Sequence, residues 1–263
     1  MQHRKGDGQT ALITGASSGI GLELARHFAS DGYDLVLAAR SADALRKIAA
    51  DLTRDFSIKA TPIACDLARP NAGAELAQAI HARAIEIDVL VNNAGYGVAH
   101  AFDSSDAAAE LGMIDLNIRA LVELTHILWP RMLKNKRGGV LNLGSTAGFQ
   151  PGPFMAVYCA SKAFVLSFTE ALWEEARDTG VHVSCLCPGI TATGFHKRAG
   201  TDKLPLLRGR VMPAATVARL GYRAFQANRR VEITGFWNAI MANAVRFIPR
   251  TSVLRVARRL MHV

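Results

Sequence analysis

Thr14-Gly15-Ala16-Ser17-Ser18-Gly19-Ile20-Gly21 stands directly after the apolar run Ala11–Thr14 and leads into a segment of helical periodicity. A strand that turns through glycines into a helix is the local signature of a dinucleotide-binding βαβ unit. Gly15 permits the sharp turn, Gly19 lets the main chain approach a pyrophosphate, and Gly21 lets the helix pack closely on the strand. The helix N-terminus then offers unpaired N–H groups and partial positive charge to phosphate oxygens, with Ser17, Ser18 and Ile20 in the same cradle. Glycine turns are common, so the string draws its meaning from its place after the first strand of an alternating chain.

That alternation runs outward from the turn. Strand candidates are Ala11–Thr14, Asp34–Arg40, Ala60–Asp66, Asp88–Ala94, Gly139–Ser145, Val181–Cys187 and Val231–Gly235. The first six are near-continuous apolar stretches, as strands covered on both faces should be. Helical periodicity fills the gaps. Gly32 follows the first helix, and Gly180 follows a helix expected over Tyr158–Thr179, each where a left-handed C-terminal cap is favoured. The expected fold is one α/β domain over residues 1–263, of Rossmann type: a doubly wound, parallel, seven-stranded sheet with helices on both faces. Two segments fall outside the pattern: a mixed Gly/Pro/Lys/Arg stretch at 191–212, expected to be a lid of loop and short helices, and a basic tail at 236–263.

Composition narrows the function classes. Half of the 263 residues are apolar and 20% are charged, an ordinary globular balance with no uninterrupted membrane-spanning run. Met1 to Gln9 is short and polar and does not read as a signal peptide, so a cytoplasmic location is expected. The net charge of +9 is unevenly placed: no acidic residue follows Glu232, while Arg246, Arg250, Arg255, Arg258 and Arg259 all do. The excess is largely a tail property, which argues against a general nucleic-acid face. Cys65, Cys159, Cys185 and Cys187 form no C-x-x-C pair and have no histidine at ligand spacing, so they are expected to be reduced thiols and no metal is expected. Cys185 and Cys187 should point the same way from one strand.

Four residues then suggest chemistry. The second strand ends in Ala39-Arg40, where an NAD site would place a carboxylate against the ribose 2′-hydroxyl. An arginine there can grip a 2′-phosphate instead, which favours NADP(H) over NAD(H); the plain alternative is a solvated arginine at a strand end. Tyr158 and Lys162 are four apart at the start of a helix and share a face. A lysine ammonium one turn away favours the phenolate and makes a usable acid/base of a tyrosine that ordinarily titrates near 10. Ser145, at the C-terminal end of the fifth strand, could hold a substrate oxygen or could simply cap a turn.

With these residues in view, the chain resembles a short-chain dehydrogenase/reductase of the single-domain type. The motifs that carry the resemblance recur in order: the Thr14–Gly21 turn, Asp66 after the third strand, Asn92-Asn93-Ala94-Gly95 after the fourth, Asn117, Ser145, Tyr158 with Lys162, and Pro188-Gly189-Ile190-Thr191-Ala192-Thr193. The resemblance implies a catalytic set of Asn117, Ser145, Tyr158 and Lys162. It implies that Asp66 and the Leu67 main chain meet the adenine, and that Asn92 to Gly95 line the adenine ribose and support the sheet. Lys162 would also hold the nicotinamide ribose, Asn117 would relay protons through its main chain and water, and Ile190 and Thr193 would fix the carboxamide beside Pro188 and Gly189. The implied activity is hydride transfer between nicotinamide and a carbonyl or alcohol, with Tyr158 as acid/base.

Substrate and assembly are less legible. Phe195, Leu204, Leu206 and Leu207 in the lid, with Phe149 and Phe154 before Tyr158, suggest an apolar ketone, or only a packed lid. Lys197, Arg198, Lys203, Arg208 and Arg210 read as a solvated lid rather than an anion site, and His100 and His196 as structural or surface histidines. Arg40 tilts the expectation towards NADPH-dependent reduction. The alternatives are an oxidative hydroxysteroid-type or secondary-alcohol dehydrogenase and a non-catalytic NADPH-binding regulator. The family implies a homodimer or homotetramer. The arginine-rich tail is expected to pack on its own domain or a partner subunit, with peripheral membrane contact as the alternative.

Overall fold

The computed structural model describes residues 4–201 and 211–261. Its strands are β1 (Thr10–Thr14), β2 (Asp34–Ala39), β3 (Ala60–Ala64), β4 (Val89–Asn92), β5 (Gly139–Leu143), β6 (His182–Cys187), β7 (Thr191–Ala192), β8 (Met212–Pro213) and β9 (Val231–Ile233). Its helices are α1 (Gly19–Ser30), α2 (Ala42–Phe56), α3 (Ala72–His81), α4 (Ala107–Ile114), α5 (Ala120–Asn135), α6 (Ala156–Glu175), α7 (Phe195–Ala199), α8 (Ala214–Gln226), α9 (Phe236–Ala244) and α10 (Arg250–Met261). Seven strands form one sheet in the order β3-β2-β1-β4-β5-β6-β9, every neighbouring pair parallel. The other two, β7 and β8, pair with each other and tie the two ends of the lid segment together, which the sequence did not suggest.

All seven expected strands are present, and most end earlier than the apolar runs do. Arg40, Asp66, Ala94, Ser145 and Gly235 lie just past the strand ends. There the chain bends away from the sheet, and those positions become available to a ligand. The last long helix of the sheet's core is also shorter than expected: α6 stops at Glu175, and Asp178 (φ 62°) and Gly180 (φ 82°) make the left-handed turn into β6. A Cβ on Gly180 would lie 2.5 Å from the Lys136 carbonyl oxygen, so this turn requires glycine.

The two-residue period of the strands divides the core. Ile13, Leu35, Leu37, Val89 and Val91 point to the side covered by α1, α2 and α8, where they meet Leu24, Phe28, Leu45 and Phe225. Leu12, Val36, Leu90, Val140 and Val183 point to the other side and meet Leu76, Ile80, Leu124 and Leu172 of α3, α5 and α6. Burying a side chain such as Phe28, which is fully enclosed, contributes about 2–3 kcal/mol.

Two features aim this scaffold at a site. The chain runs outward from β1 to β3 and then crosses back to β4 beside β1, which opens a cleft above the C-terminal ends of β1 and β4. Beneath it a buried polar ladder joins strands and helices: Asn92 Nδ2 donates to Asn142 Oδ1 (2.9 Å) and Thr125 Oγ1 (3.1 Å), and Asn142 Nδ2 donates to Thr169 Oγ1 (2.9 Å). Thr125 and Thr169 pass their own protons to helix carbonyls at Leu121 and Val165. The ladder fixes β4 and β5 against α5 and α6, the four elements around the cleft. Asn92→Leu removes the donor to Asn142 Oδ1 inside the core and is expected to cost about 2 kcal/mol, read as a lower urea midpoint with an unchanged slope. An unaltered midpoint would show that the ladder adds no stability.

Candidate active site

The glycine turn is shaped by its neighbours as well as by its own sequence. Thr14 Oγ1 accepts the Asn93 and Ala94 N–H groups (both 3.0 Å), while Asn93 Nδ2 donates to the carbonyls of Thr14 (2.8 Å) and Gly15 (3.2 Å). This stitches the ends of β1 and β4 together. A Cβ on Gly15, which has φ 66°, would lie 2.9 Å from Ala94 Cα, and one on Gly21 would lie 2.3 Å from Asn93 Nδ2. The two glycines are therefore demanded by close approach, as their spacing suggested. Ser18 is the N-cap of α1 but its hydroxyl makes no capping bond, so the first-turn N–H groups face the cleft without a side-chain partner. At α2, by contrast, Ser41 Oγ caps Ala44 N–H in the ordinary way.

The other expected cofactor residues ring the same cleft. Arg40 is exposed just past the end of β2, and Asp66 lies two residues past the end of the neighbouring β3, so both stand at the same C-terminal edge of the sheet. Asp66 Oδ1 accepts the Ala68 N–H (3.1 Å), and the Leu67 side chain is buried in the core, which leaves only its main chain to face the cleft. Thr193, in the segment after Pro188, Gly189 and Ile190, leans back over the turn: its Cγ2 is 3.1 Å from where a Gly19 Cβ would lie. Glycines that a Cβ would block, an uncapped helix start and an exposed arginine at the second strand together fit a dinucleotide with a 2′-phosphate.

Across the cleft, α6 brings Tyr158 and Lys162 in from one face, both almost fully buried. Lys162 Nζ lies 6.0 Å from the centre of the Tyr158 ring and donates to the carbonyl of Leu143, the last residue of β5 (2.7 Å). Ser145, two residues further along, caps the turn, its hydroxyl accepting Ala147 N–H (3.1 Å), and it stands near enough to the Tyr158 phenol to favour its charged form. Burial pushes Tyr158 up to about 12, and Ser145 acts against that rise. Burial pushes Lys162 down to about 8.

Asn117 is reached by a local change of helix register. Residues Asp115–Arg119 form a π turn between α4 and α5, a distortion often found at functional sites. Its side chain donates to the Tyr96 carbonyl (3.0 Å) and Ser161 Oγ (3.1 Å) and accepts Tyr96 N–H (3.2 Å). It therefore clamps the loop after β4 to α6 and holds Gly95 beside Lys162, whose Nζ lies 3.6 Å from where a Gly95 Cβ would be.

Among the residues the sequence tied to a substrate, the structure separates one from another. Phe195 of α7 packs on Tyr158, ring centres 5.4 Å apart, in an apolar cluster with Ala99, Met113 and Met155. Phe149 faces elsewhere, packing beside Leu121, Val165 and Leu166 and lining a cavity of about 400 Å³ with Glu170, Val231 and Ala239. It is not a wall of this site, because the short helical turn capped by Ser145 carries it behind α6. Phe154 is half-buried with φ 67°, and its carbonyl accepts His100 N–H. His196 Nδ1 lies 3.1 Å from Thr201 Oγ1, a lid contact. Leu204, Leu206, Leu207, Lys203, Arg208, Arg210 and the Lys197 side chain lie outside the described residues. The bonding roles of Thr14, Tyr96, Asn142 and Ser161 were not legible in the sequence, since each acts through partners far away in the chain.

A family model described as short chain dehydrogenase matches residues 9–204. The chain belongs to the short-chain dehydrogenase family. As a member it is an NAD(P)-dependent oxidoreductase. It is 32% identical over 196 residues to a very-long-chain 3-oxoacyl-CoA reductase of Homo sapiens; the match covers 73% of this chain and 62%, less than two thirds, of that enzyme. Among solved structures it is similar to a short-chain dehydrogenase from Sphingobium yanoikuyae in complex with NADPH (TM-score 0.80, 33% identity, 91% of this chain and 94% of the other). It is also similar to a bulky-bulky ketone specific alcohol dehydrogenase from Comamonas testosteroni (TM-score 0.76, 30% identity, 91% and 92%).

Proposed function

We propose that this short-chain dehydrogenase reduces an apolar ketone with NADPH, Tyr158 giving the proton to the carbonyl oxygen. The observation that carries the reading is the arrangement around the phenol: buried, with Ser145 beside it, the Lys162 ammonium one helical turn away and the nucleotide cleft adjoining. When bound, the nicotinamide supplies the hydride. Gly15, Ser17, Ser18, Gly19, Ile20 and Gly21 hold the pyrophosphate and Arg40 the 2′-phosphate. Asp66 and the Leu67 main chain meet the adenine, with Asn93, Ala94 and Gly95 along its ribose. Lys162 holds the nicotinamide ribose, and Ile190 and Thr193 fix the carboxamide beside Pro188 and Gly189. Ser145 orients the carbonyl oxygen towards Tyr158, and the Asn117 main chain passes protons from solvent towards Lys162.

NADPH in the Sphingobium neighbour supports the choice of NADP(H), as does Arg40. An apolar substrate is supported by the half-buried Phe195 ring on Tyr158, backed by the buried Met113 and Met155, and by the bulky ketones and 3-oxoacyl chains in the relatives' names. Assembly as a homodimer through α5 and α6 is supported by the apolar Ile127 and Phe164, both exposed on those helices.

A panel of ketones graded in apolar bulk, followed through NADPH absorbance, tests the reading. Turnover should rise with apolar bulk, and no turnover on any ketone alongside tight NADPH binding would overturn it. The pH profile has a definite sign. Tyr158, pushed up to about 12, stays protonated as the donor throughout the working range, while Lys162 carries its charge only below about 8. For reduction, kcat/KM is therefore expected to be level below pH 8 and to fall above it as the cation beside the phenol is lost. The Lys162→Met variant should be slow and lack that alkaline limb.

A further inference from the structure

The tail leaves its largest side chains uncovered. On α9, Phe236, Trp237 and Met241 are 74%, 65% and 62% exposed, and Phe247 in the following turn is 88% exposed. Among the described side chains, only Ala242 of α9 and Val253 and Ala257 of α10 are buried, so small residues attach the tail to the domain while the aromatic ones face out. The expectation that the tail packs on its own domain is thus met only by its small residues. Arg246, Arg250, Arg255, Arg258 and Arg259 are all exposed beside them, and no acidic residue follows Glu232.

An apolar patch with an aromatic pair, in a segment whose charged side chains are arginines alone, is best covered by something of opposite charge that also accepts apolar groups. A second copy of this chain meeting face to face would set five arginines against five with no carboxylate in either tail. An anionic bilayer satisfies both demands, since its phosphates take the arginines and its headgroup boundary takes the indole and phenyl rings. The place of the patch adds a consequence. α9 starts at the edge of the sheet that carries the site, and Asn238 lies against Gly189, in the segment proposed to cover the nicotinamide: a Cβ on Gly189 would be 2.3 Å from Asn238 Nδ2.

We propose that the 236–261 tail is a docking surface for anionic lipid bilayers and sets the substrate mouth beside the membrane, where apolar ketones partition. The lipid contact stands by itself; the delivery of substrate rests on the reductase reading above. The full chain is sedimented with phosphatidylserine-rich and with pure phosphatidylcholine vesicles, as wild type, as an Arg255→Glu/Arg258→Glu/Arg259→Glu variant, and as a Phe236→Ser/Trp237→Ser/Phe247→Ser variant. All six residues are exposed, so the fold should persist, and an unchanged rate on a water-soluble ketone verifies that. Wild type is expected to pellet with the anionic vesicles, less so in raised salt. The arginine variant should lose about 100-fold or more in partitioning, at roughly fivefold per arginine, and the aromatic variant should also be released. Equal pelleting of all three proteins, no pelleting of wild type, or self-association of wild type that both variants abolish would overturn the docking proposal. If wild type docks but reduces no ketone, the docking stands and the reductase reading falls; if the variants reduce a vesicle-embedded ketone as fast as wild type, the delivery role is overturned.

Discussion

Tyr158→Phe is expected to lower kcat/KM for ketone reduction by roughly 10²–10⁴, the range of a lost general acid, with NADPH affinity essentially retained. The substitution removes one hydroxyl and keeps the ring that packs on Phe195 and the Met113–Met155 surface. The nucleotide cradle lies across the cleft and does not depend on that oxygen. No histidine can take over: His196 is engaged by Thr201, and His100 is exposed. Ser145 is close enough, but without the phenol it has no acidic partner. Steady-state kinetics and NADPH fluorescence titration on the same preparation separate the two quantities. Turnover within tenfold of wild type would remove Tyr158 from the chemistry and leave it a packing residue.

The second large effect concerns the choice of nucleotide. Arg40→Asp is expected to reduce the NADPH-to-NADH ratio of kcat/KM by about 100-fold or more, because a charge-assisted bond to the 2′-phosphate becomes a repulsion. The new carboxylate would stand where a ribose 2′-hydroxyl can donate to it, so part of the change should be a gain with NADH. Arg40 is exposed at the end of β2, so little structural cost should accompany the swap. The ratio is the quantity to follow, since a general loss of activity would lower both rates together. An unmoved ratio would mean that Arg40 is a solvated strand-end residue and that the 2′-phosphate is held by other groups.

These expectations draw on both levels of description. The seven strands, the glycine turn, and the Tyr158/Lys162 pair were legible because each is a short-range pattern: a period of two, a turn of adjacent residues, an i,i+4 spacing. Strand ends were less so. Apolar runs continue past the last paired residue, because positions such as Ala94 and Ser145 remain close to the core after the ladder stops. Phe149 and Phe195 look alike in sequence, and only the path of the chain around Ser145 sends one behind α6 and the other onto Tyr158.

By itself, then, the sequence determined the parallel α/β fold, the turn after the first strand and its glycines, and the placing of Tyr158 and Lys162 on one helix face, since all depend on neighbours within a few positions. Tertiary structure decided what those residues experience. Burial sets the opposite shifts of Tyr158 and Lys162, the Leu143 carbonyl anchors the lysine from 19 residues away, and Asn117 clamps Ser161 across 44. Tertiary structure also decided that the tail keeps its aromatic residues outside, because among its described side chains only Ala242, Val253 and Ala257 are buried against the domain. Hydrogen bonding and desolvation act between groups that folding brings together, and nothing in the order of residues states those distances.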